Sequence, residues 1–178
     1  TGCWSSVRSV SYSINAIPET PSLPTVTKNC GSTVLTRGTP PSGITWYWQS
    51  TSTGASTSNA SETISLDSGS EYYLRGQNDV TGCWGEAINI SYTVNLEPEI
   101  PSLPEVTNEC GSTVLTKGTP PSGITWYWQS TSTGTSTSNA SETISLDSGS
   151  EYYLRGQNDV TGCWGEAINI SYTVNLEP

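Results

Sequence analysis

The residues in this 178-residue sequence with the most specific chemistry are five cysteines, nine tyrosines and seven tryptophans. The cysteines, Cys3, Cys30, Cys83, Cys110 and Cys163, lie too far apart for the paired spacing of a zinc site, so the chemistry they offer is disulfide formation. Histidine is absent, which removes the usual general base and a common metal ligand. The many serines and threonines therefore have no imidazole to activate them. Asp67, Glu71 and Asp79 fall near turns, where carboxylates cap backbone and keep the surface soluble. No phosphate-binding loop is present. The expectation is a protein that is not an enzyme and takes no cofactor.

Two non-covalent sites can be read from residue types. Glu97, Glu99 and Glu105 flank one proline-rich linker and Asp159 lies on the loop expected to face it, a weak set of oxygen ligands for calcium. Linker charge exposed to solvent is the plainer reading. Tyr47, Tyr73, Tyr127 and Tyr153 alternate with residues expected in the core, so they should face outward, where a ring can stack on a sugar. A cross-strand pair covering an exposed sheet is the plainer reading there.

The elements that position these groups come from a repeat. Residues 21–98 recur as 101–178, with five differences: Thr25/Glu105, Lys28/Asn108, Asn29/Glu109, Arg37/Lys117 and Ala55/Thr135. These small or polar changes suit surface positions. Residues 1–20 (TGCWSSVRSVSYSINAIPET) echo 81–100 and read as the tail, the last strand, of a preceding module. The organisation expected is that tail, a module at 21–98 and a module at 99–178, with a linker at about 97–104, cut from a longer array. Pro18, Pro21 and Pro24, like Pro98, Pro101 and Pro104, recur every third residue, as on one side of a stiff polyproline connector.

Within a module, turn signals separate short segments of alternating polarity, and none supports a helix. Strands are expected at about 24–28, 32–37, 44–49, 62–67, 72–77 and 87–94, with 50–61 a loop or weak edge strand. The core should contain Leu35, Trp46, Trp48 and Leu74, joined by Ile64, Leu66, Tyr72, Ile88, Ile90 and Val94. Trp126 and Trp128 take the same places in the second copy. So small a core makes covalent staples plausible. The formal charge is −10, and the six basic residues are scattered, which argues against nucleic acid or an anionic membrane as partner. No stretch is apolar enough to span a bilayer.

A tryptophan on the third strand and DSGSEYYL before the next long strand resemble an immunoglobulin-type sandwich with a tyrosine corner at Tyr72. CGSTVLT, ITWYWQ, and YYLR followed by GCW together resemble the Ig-like repeat of giant Bacteroidetes cell-surface proteins, the Cytophaga- and Flavobacterium-type, gliding-adhesin-like surface adhesins. The match covers both modules and the leading segment. That resemblance implies an all-β chain of tandem immunoglobulin-like antiparallel sandwiches, beads on a string, in a secreted protein at the bacterial surface. The implied role is a structural or adhesive stalk or filament. The implied partners are neighbouring modules, lateral copies of the filament or surface polysaccharide; the alternative is that the repeats are themselves multivalent carbohydrate-binding modules.

In such a sandwich the usual bridge joins the second and sixth strands, but Leu35 and Leu74 hold those inward positions here. Two pairings remain open. One joins Cys30 to Cys163 across the joint and leaves Cys3, Cys83 and Cys110 for other modules. The other is within a module, Cys30–Cys83 and Cys110–Cys163. The sandwich topology puts those cysteines at opposite ends of a strand, roughly 20 Å apart, whereas a bridge needs Cα atoms within about 7 Å, so the first is favoured. In that arrangement 158–166 reads as a long loop projecting toward the preceding module, with Trp164 beside the bridge. Either pairing requires an oxidising compartment.

Overall fold

The computed structural model describes residues 1–175 and contains no helix among them, hence none able to cross a membrane. The first repeat forms β1 (Thr25–Lys28), β2 (Thr33–Thr36), β3 (Ile44–Gln49), β4 (Thr63–Leu66), β5 (Glu71–Asn78) and β6 (Trp84–Ser91). The second forms β7 (Glu105–Asn108), β8 (Thr113–Thr116), β9 (Ile124–Gln129), β10 (Thr143–Leu146), β11 (Glu151–Asn158) and β12 (Trp164–Ser171). Each repeat builds two three-stranded sheets, ordered β1-β2-β4 and β3-β5-β6 in the first, β7-β8-β10 and β9-β11-β12 in the second. The pairings resolved in each repeat are antiparallel. That division of strands is the immunoglobulin arrangement without its fourth strand.

Alternation explains the core. In β3, Trp46 and Trp48 turn inward and are almost fully buried, while Thr45 and Tyr47 stay half-exposed. Leu35 and Leu74, one from each sheet, are 0% exposed, so leucines occupy the places where an immunoglobulin bridge would stand. In the second repeat Leu115, Trp126, Trp128, Leu154, Ile170 and Tyr172 form the core, with Ile144, Leu146, Tyr152 and Ile168 packed against it. A buried indole must place its N–H. Trp48 donates to the Ser61 carbonyl at 3.0 Å and Trp128 to that of Ser141 at 2.9 Å.

The serine-rich segment after β3 contains no strand and is held by side chains instead. Buried Gln49 donates from its amide to the Ser56 carbonyl and accepts from the Ser56 N–H. Arg37 donates to the carbonyls of Ala60 and Ser61. Lys117 replaces Arg37 in the second repeat and donates to Trp126 and Ala140 carbonyls at 2.6 and 2.7 Å. This substitution sits at a half-buried tie, not on open surface as the sequence suggested. Burial lowers the Lys117 pKa, with the nearby Glu142 carboxylate opposing the shift.

The tyrosine corner lies elsewhere than expected. Tyr172, just after β12, donates its hydroxyl to the Ser148 carbonyl at 2.7 Å, closing the DSGS turn. Tyr152, the counterpart of Tyr72, instead packs its ring against Trp128 at 6.4 Å. The extra residue between Gly149 and Tyr152 turns that tyrosine toward the core, and the residue just after the last strand supplies the hydroxyl.

The prolines are likewise part of the sandwich. Pro18, Pro21 and Pro24 are buried, as are Pro101 and Pro104. Pro98 fits against Gly156 beside Ile124 and Trp126, and its carbonyl lies over Gly165. The stretch expected as a linker at 97–104 thus fills one side of the second sandwich from Pro98 on. Residues 1–17 contain no strand, and Trp4, Val7, Val10, Tyr12 and Ile14 are each at least 85% exposed. They correspond to 81–97, where β6 pairs with β5; no strand among the described residues pairs with this copy.

The chain divides into two compact units. Thr1–Thr27, Val34–Ser65 and Gly69–Tyr92 form one; Lys28–Thr33, Leu66–Ser68 and the chain from Thr93 onward form the other. The boundary therefore does not follow the repeat, and the turn bearing Cys30 belongs to the second unit.

Candidate functional site

Two kinds of cysteine turn recur in the chain. The first precedes β2 or β8. Asn29 N–H donates to Ser32 O at 2.8 Å, Gly31 adopts a left-handed φ of 74°, and its N–H donates to Asn95 O at 2.8 Å. Cys30 itself forms a parallel bridge with Asn95. The buried Thr33 hydroxyl adds a bond to Thr93 O at 2.7 Å. Around Cys110 the same bonds run from Glu109 to Ser112, from Gly111 to Asn175 and from Thr113 to Thr173.

The second kind closes the hairpin before β6 or β12. Asn158 accepts on its side-chain oxygen from the N–H groups of Val160 and Thr161, and its own N–H donates to Cys163 O at 2.8 Å. Thr161 accepts from the Cys163 N–H. What the sequence suggested was a long loop over 158–166 is therefore a tight turn between Asn158 and Trp164, because the asparagine side chain caps it. Asn78 holds Cys83 in the same way.

A disulfide joins Cys30 to Cys163, with Cα atoms 5.4 Å apart and a sequence separation of 133. Both cysteines belong to the second unit. The within-module pairings do not form: Cys83 is a half-buried thiol, and Cys3 and Cys110 are exposed thiols. Strand geometry accounts for this. Cys110 is bridged to Asn175 beyond the end of β12, and Cys163 precedes its start. The eight residues of β12 alone span roughly 25 Å.

An aromatic and cationic ladder covers the outward face of β3-β5-β6. Tyr47 lies 5.6 Å from Trp84, and the Arg75 guanidinium sits 5.4 Å from the Trp84 ring centre. Arg75 also donates to the carbonyls of Gly85 and Gly54. Tyr127, Trp164 and Arg155 repeat the ladder at 5.5 and 5.5 Å. Trp164 thus packs on Tyr127 and Arg155 of its own sheet, a placement that a β-bulge opposite Arg155 and Gln157 produces. Tyr73 and Tyr153 stand on the same outward faces and donate to Glu71 and Glu151 at 3.3 Å. The tyrosine pKa values rise, through local desolvation first and the neighbouring carboxylate second. The four tyrosines named from sequence are thus where outward rings belong. Trp84, Trp164, Arg75 and Arg155 complete the face; the sequence named only Trp164 among them, and beside the bridge, since the register shift that turns both tryptophans outward is invisible in residue spacing.

Other candidates fare differently. Glu97, Glu99, Glu105 and Asp159 are not brought together, and no group of three or more potential metal ligands exists among the described residues. Glu97 approaches Gly31, Glu99 borders a cleft over Ile124 and Trp126, and Glu105 begins β7. That cleft, about 480 Å³, has a counterpart of about 490 Å³ over Ile44 and Trp46. Both are bordered by proline and bear no convergent polar groups beyond Ser, Thr and one Glu.

No protein-family model and no curated protein matches the chain. Among solved structures it is similar to the chicken interferon gamma receptor alpha chain, at 12% identity and a TM-score of 0.34, over 87% of this chain and 98% of that one. It is also similar to a chain of a cytokine receptor complex in one crystal form, at 11% identity and TM-score 0.34, over 82% and 99%. A second crystal form gives 13% identity and TM-score 0.33, over 83% and 95%. At that degree of likeness nothing of those receptors transfers to this chain.

Proposed function

We propose that the chain is a non-catalytic stalk segment of a large extracellular bacterial surface protein, in which successive immunoglobulin-like repeats act as spacers locked by disulfides. The Cys30–Cys163 bond carries the reading, because its two sulfurs come from different copies of the repeat. A bond that ties one copy of the repeat to the next keeps the copies from separating, which a spacer needs and an independent binding module does not. The disulfide fits an oxidising, extracellular setting. The resemblance of CGSTVLT, ITWYWQ and GCW to Bacteroidetes surface repeats supplies the expected context.

Tryptic mapping of the native protein without reduction tests this. Cleavage at the six basic residues places Cys30 on peptide 29–37 and Cys163 on 156–178. The expected product is 29–37 linked to the peptide bearing the next repeat's hairpin cysteine. Linkage of 29–37 to 76–117 through Cys83, or free thiols throughout, would overturn it.

The outward ladder supports a second reading, multivalent carbohydrate binding through Tyr47 and Tyr73 and their copies Tyr127 and Tyr153. A glycan array decides it: saturable binding lost in Tyr47→Ala or Tyr73→Ala supports this reading, and no binding to any glycan removes it.

A further inference from the structure

We infer that Lys117 is a covalent modification site, an amine that condenses with small uncharged hydroxyaldehydes held in the cleft beside it. Lysine stands at this place in the second repeat alone; the first carries Arg37, and the other lysine of the chain is Lys28. The cleft has a volume of about 460 Å³ and is lined by Lys117, Thr119, Thr125, Trp126 and Glu142. The amine is held in place: Nζ donates to the Trp126 and Ala140 carbonyls at 2.6 and 2.7 Å. An ammonium has three N–H groups, whereas a neutral amine has two and a lone pair. The two carbonyls therefore take both N–H groups of the neutral form, and its lone pair is left for the cleft that the side chain lines. Burial lowers the Lys117 pKa, with Glu142 opposing, which enriches that nucleophilic form. Lys28, on the exposed strand β1, has no such setting.

Charge and hydrogen bonding select the class. The Glu142 carboxylate in the cleft and the net charge of −10 disfavour anionic reagents. The carboxylate and the hydroxyls of Thr119 and Thr125 suit a molecule that itself bears hydroxyls. In the reaction the Nζ lone pair attacks the aldehyde carbon and the C=O π electrons move to oxygen. A proton passes from nitrogen to that oxygen, giving a carbinolamine. The C–O bond then breaks as a further proton joins the leaving hydroxyl, releasing water and leaving a protonated imine. Amine, aldehyde and one proton become imine cation and water, with no oxidation or reduction. Glu142 favours that cation as it favours the ammonium, and the one N–H of the imine keeps one carbonyl bond.

The test treats the whole chain with glycolaldehyde and sodium cyanoborohydride near neutral pH. The hydride fixes each imine as a secondary amine, and the protein is then reduced, alkylated and mapped by tryptic digestion. An adduct blocks cleavage, so modified Lys117 fuses 76–117 with 118–155, and modified Lys28 fuses 9–28 with 29–37. The Lys117 adduct should form several-fold faster than the Lys28 adduct, and the preference should vanish in denaturant. Equal rates in the folded chain, or a preference that survives unfolding, would overturn the inference. The first repeat has a matching cleft of about 430 Å³ beside Arg37, Thr39 and Glu62. Arg37→Lys should therefore add a second fast site, seen as fusion of 29–37 with 38–75; a site there as slow as Lys28 would remove the cleft from the account. Glyoxylate, an aldehyde bearing a carboxylate, should show a much smaller preference for Lys117, and an equal one would overturn the assigned class.

Discussion

The carbonyl of Pro98 lies against the α-carbon of Gly165, close enough that a methyl group there would collide with backbone. The proline stretch is thereby fixed as a wall of the second sandwich, and Pro18 makes the same approach to Gly85.

Gly165→Ala should therefore push this segment off the sheet. The expected loss is about 1–3 kcal/mol, as for other overpacking changes. Thermal unfolding checks it, with Gly162→Ser as a control that meets no neighbour but strains a left-handed φ of 73°.

Leu115 is fully buried between the sheets. Leu115→Ala should cost about 2–5 kcal/mol, the range for a large core truncation. Denaturant titration with an unchanged slope would place the loss in the folded state.

Tyr172→Phe removes the hydroxyl bonded to Ser148 and leaves that carbonyl short of a partner, an expected loss of about 1 kcal/mol. The same tyrosine has its pKa raised above 10.0 by burial, then by Tyr152 and Asp147. Its stabilisation is complete below pH 10 and declines as pH rises through the folded-state value, where the unfolded chain releases the proton more readily. The phenylalanine variant should show a shallower alkaline decline in melting temperature; an equally steep one would remove Tyr172 from the account.

Lys117→Arg should leave the second repeat folded, because Arg37 performs the same tie in the first, through the Ala60 carbonyl that matches Ala140 and through that of Ser61. Its own signature is in alkali. The lysine's lowered pKa makes its charged form a burden that lifts as pH rises toward 10.5, so stability should gain there. Arginine does not titrate and should abolish the gain. Comparing the two proteins by unfolding between pH 8 and about 10.5 decides the matter.

Cys163→Ser should destabilise the second unit by about 2–5 kcal/mol, and reduction of the native chain should do the same. A melting curve unchanged by reductant would show the bond to be absent in solution.

Strand positions were legible because Trp46 and Trp48 alternate with Thr45 and Tyr47, and period two leaves little choice of face. Leu35 and Leu74 could be placed inward for the same reason. What escaped the sequence depends on contacts remote in the chain. The ring of Trp84 reaches Tyr47 only because a bulge shifts its register. The hydroxyl of Tyr172 reaches Ser148 from beyond the end of β12. Pro98 reads as part of a connector in the sequence, and only its contacts with Gly156 and Gly165 show that it walls the sandwich. Residues 1–17 carry the pattern of a last strand, but pairing requires a neighbour, which the pattern does not supply.

The Cys30–Cys163 crosslink also sets the path that tension takes. When the chain is drawn out from its two ends, the load crosses between the sulfurs and bypasses the 133 steps of backbone between them. About 450 Å of extended chain is thereby held in reserve as slack. The core of the first repeat and Leu115, Trp126, Trp128 and Leu154 of the second lie inside that shielded loop, whereas Ile170 and Tyr172 lie outside it, so a pull on the far end loads β12 first. Reduction of that one bond would release the slack to a pull.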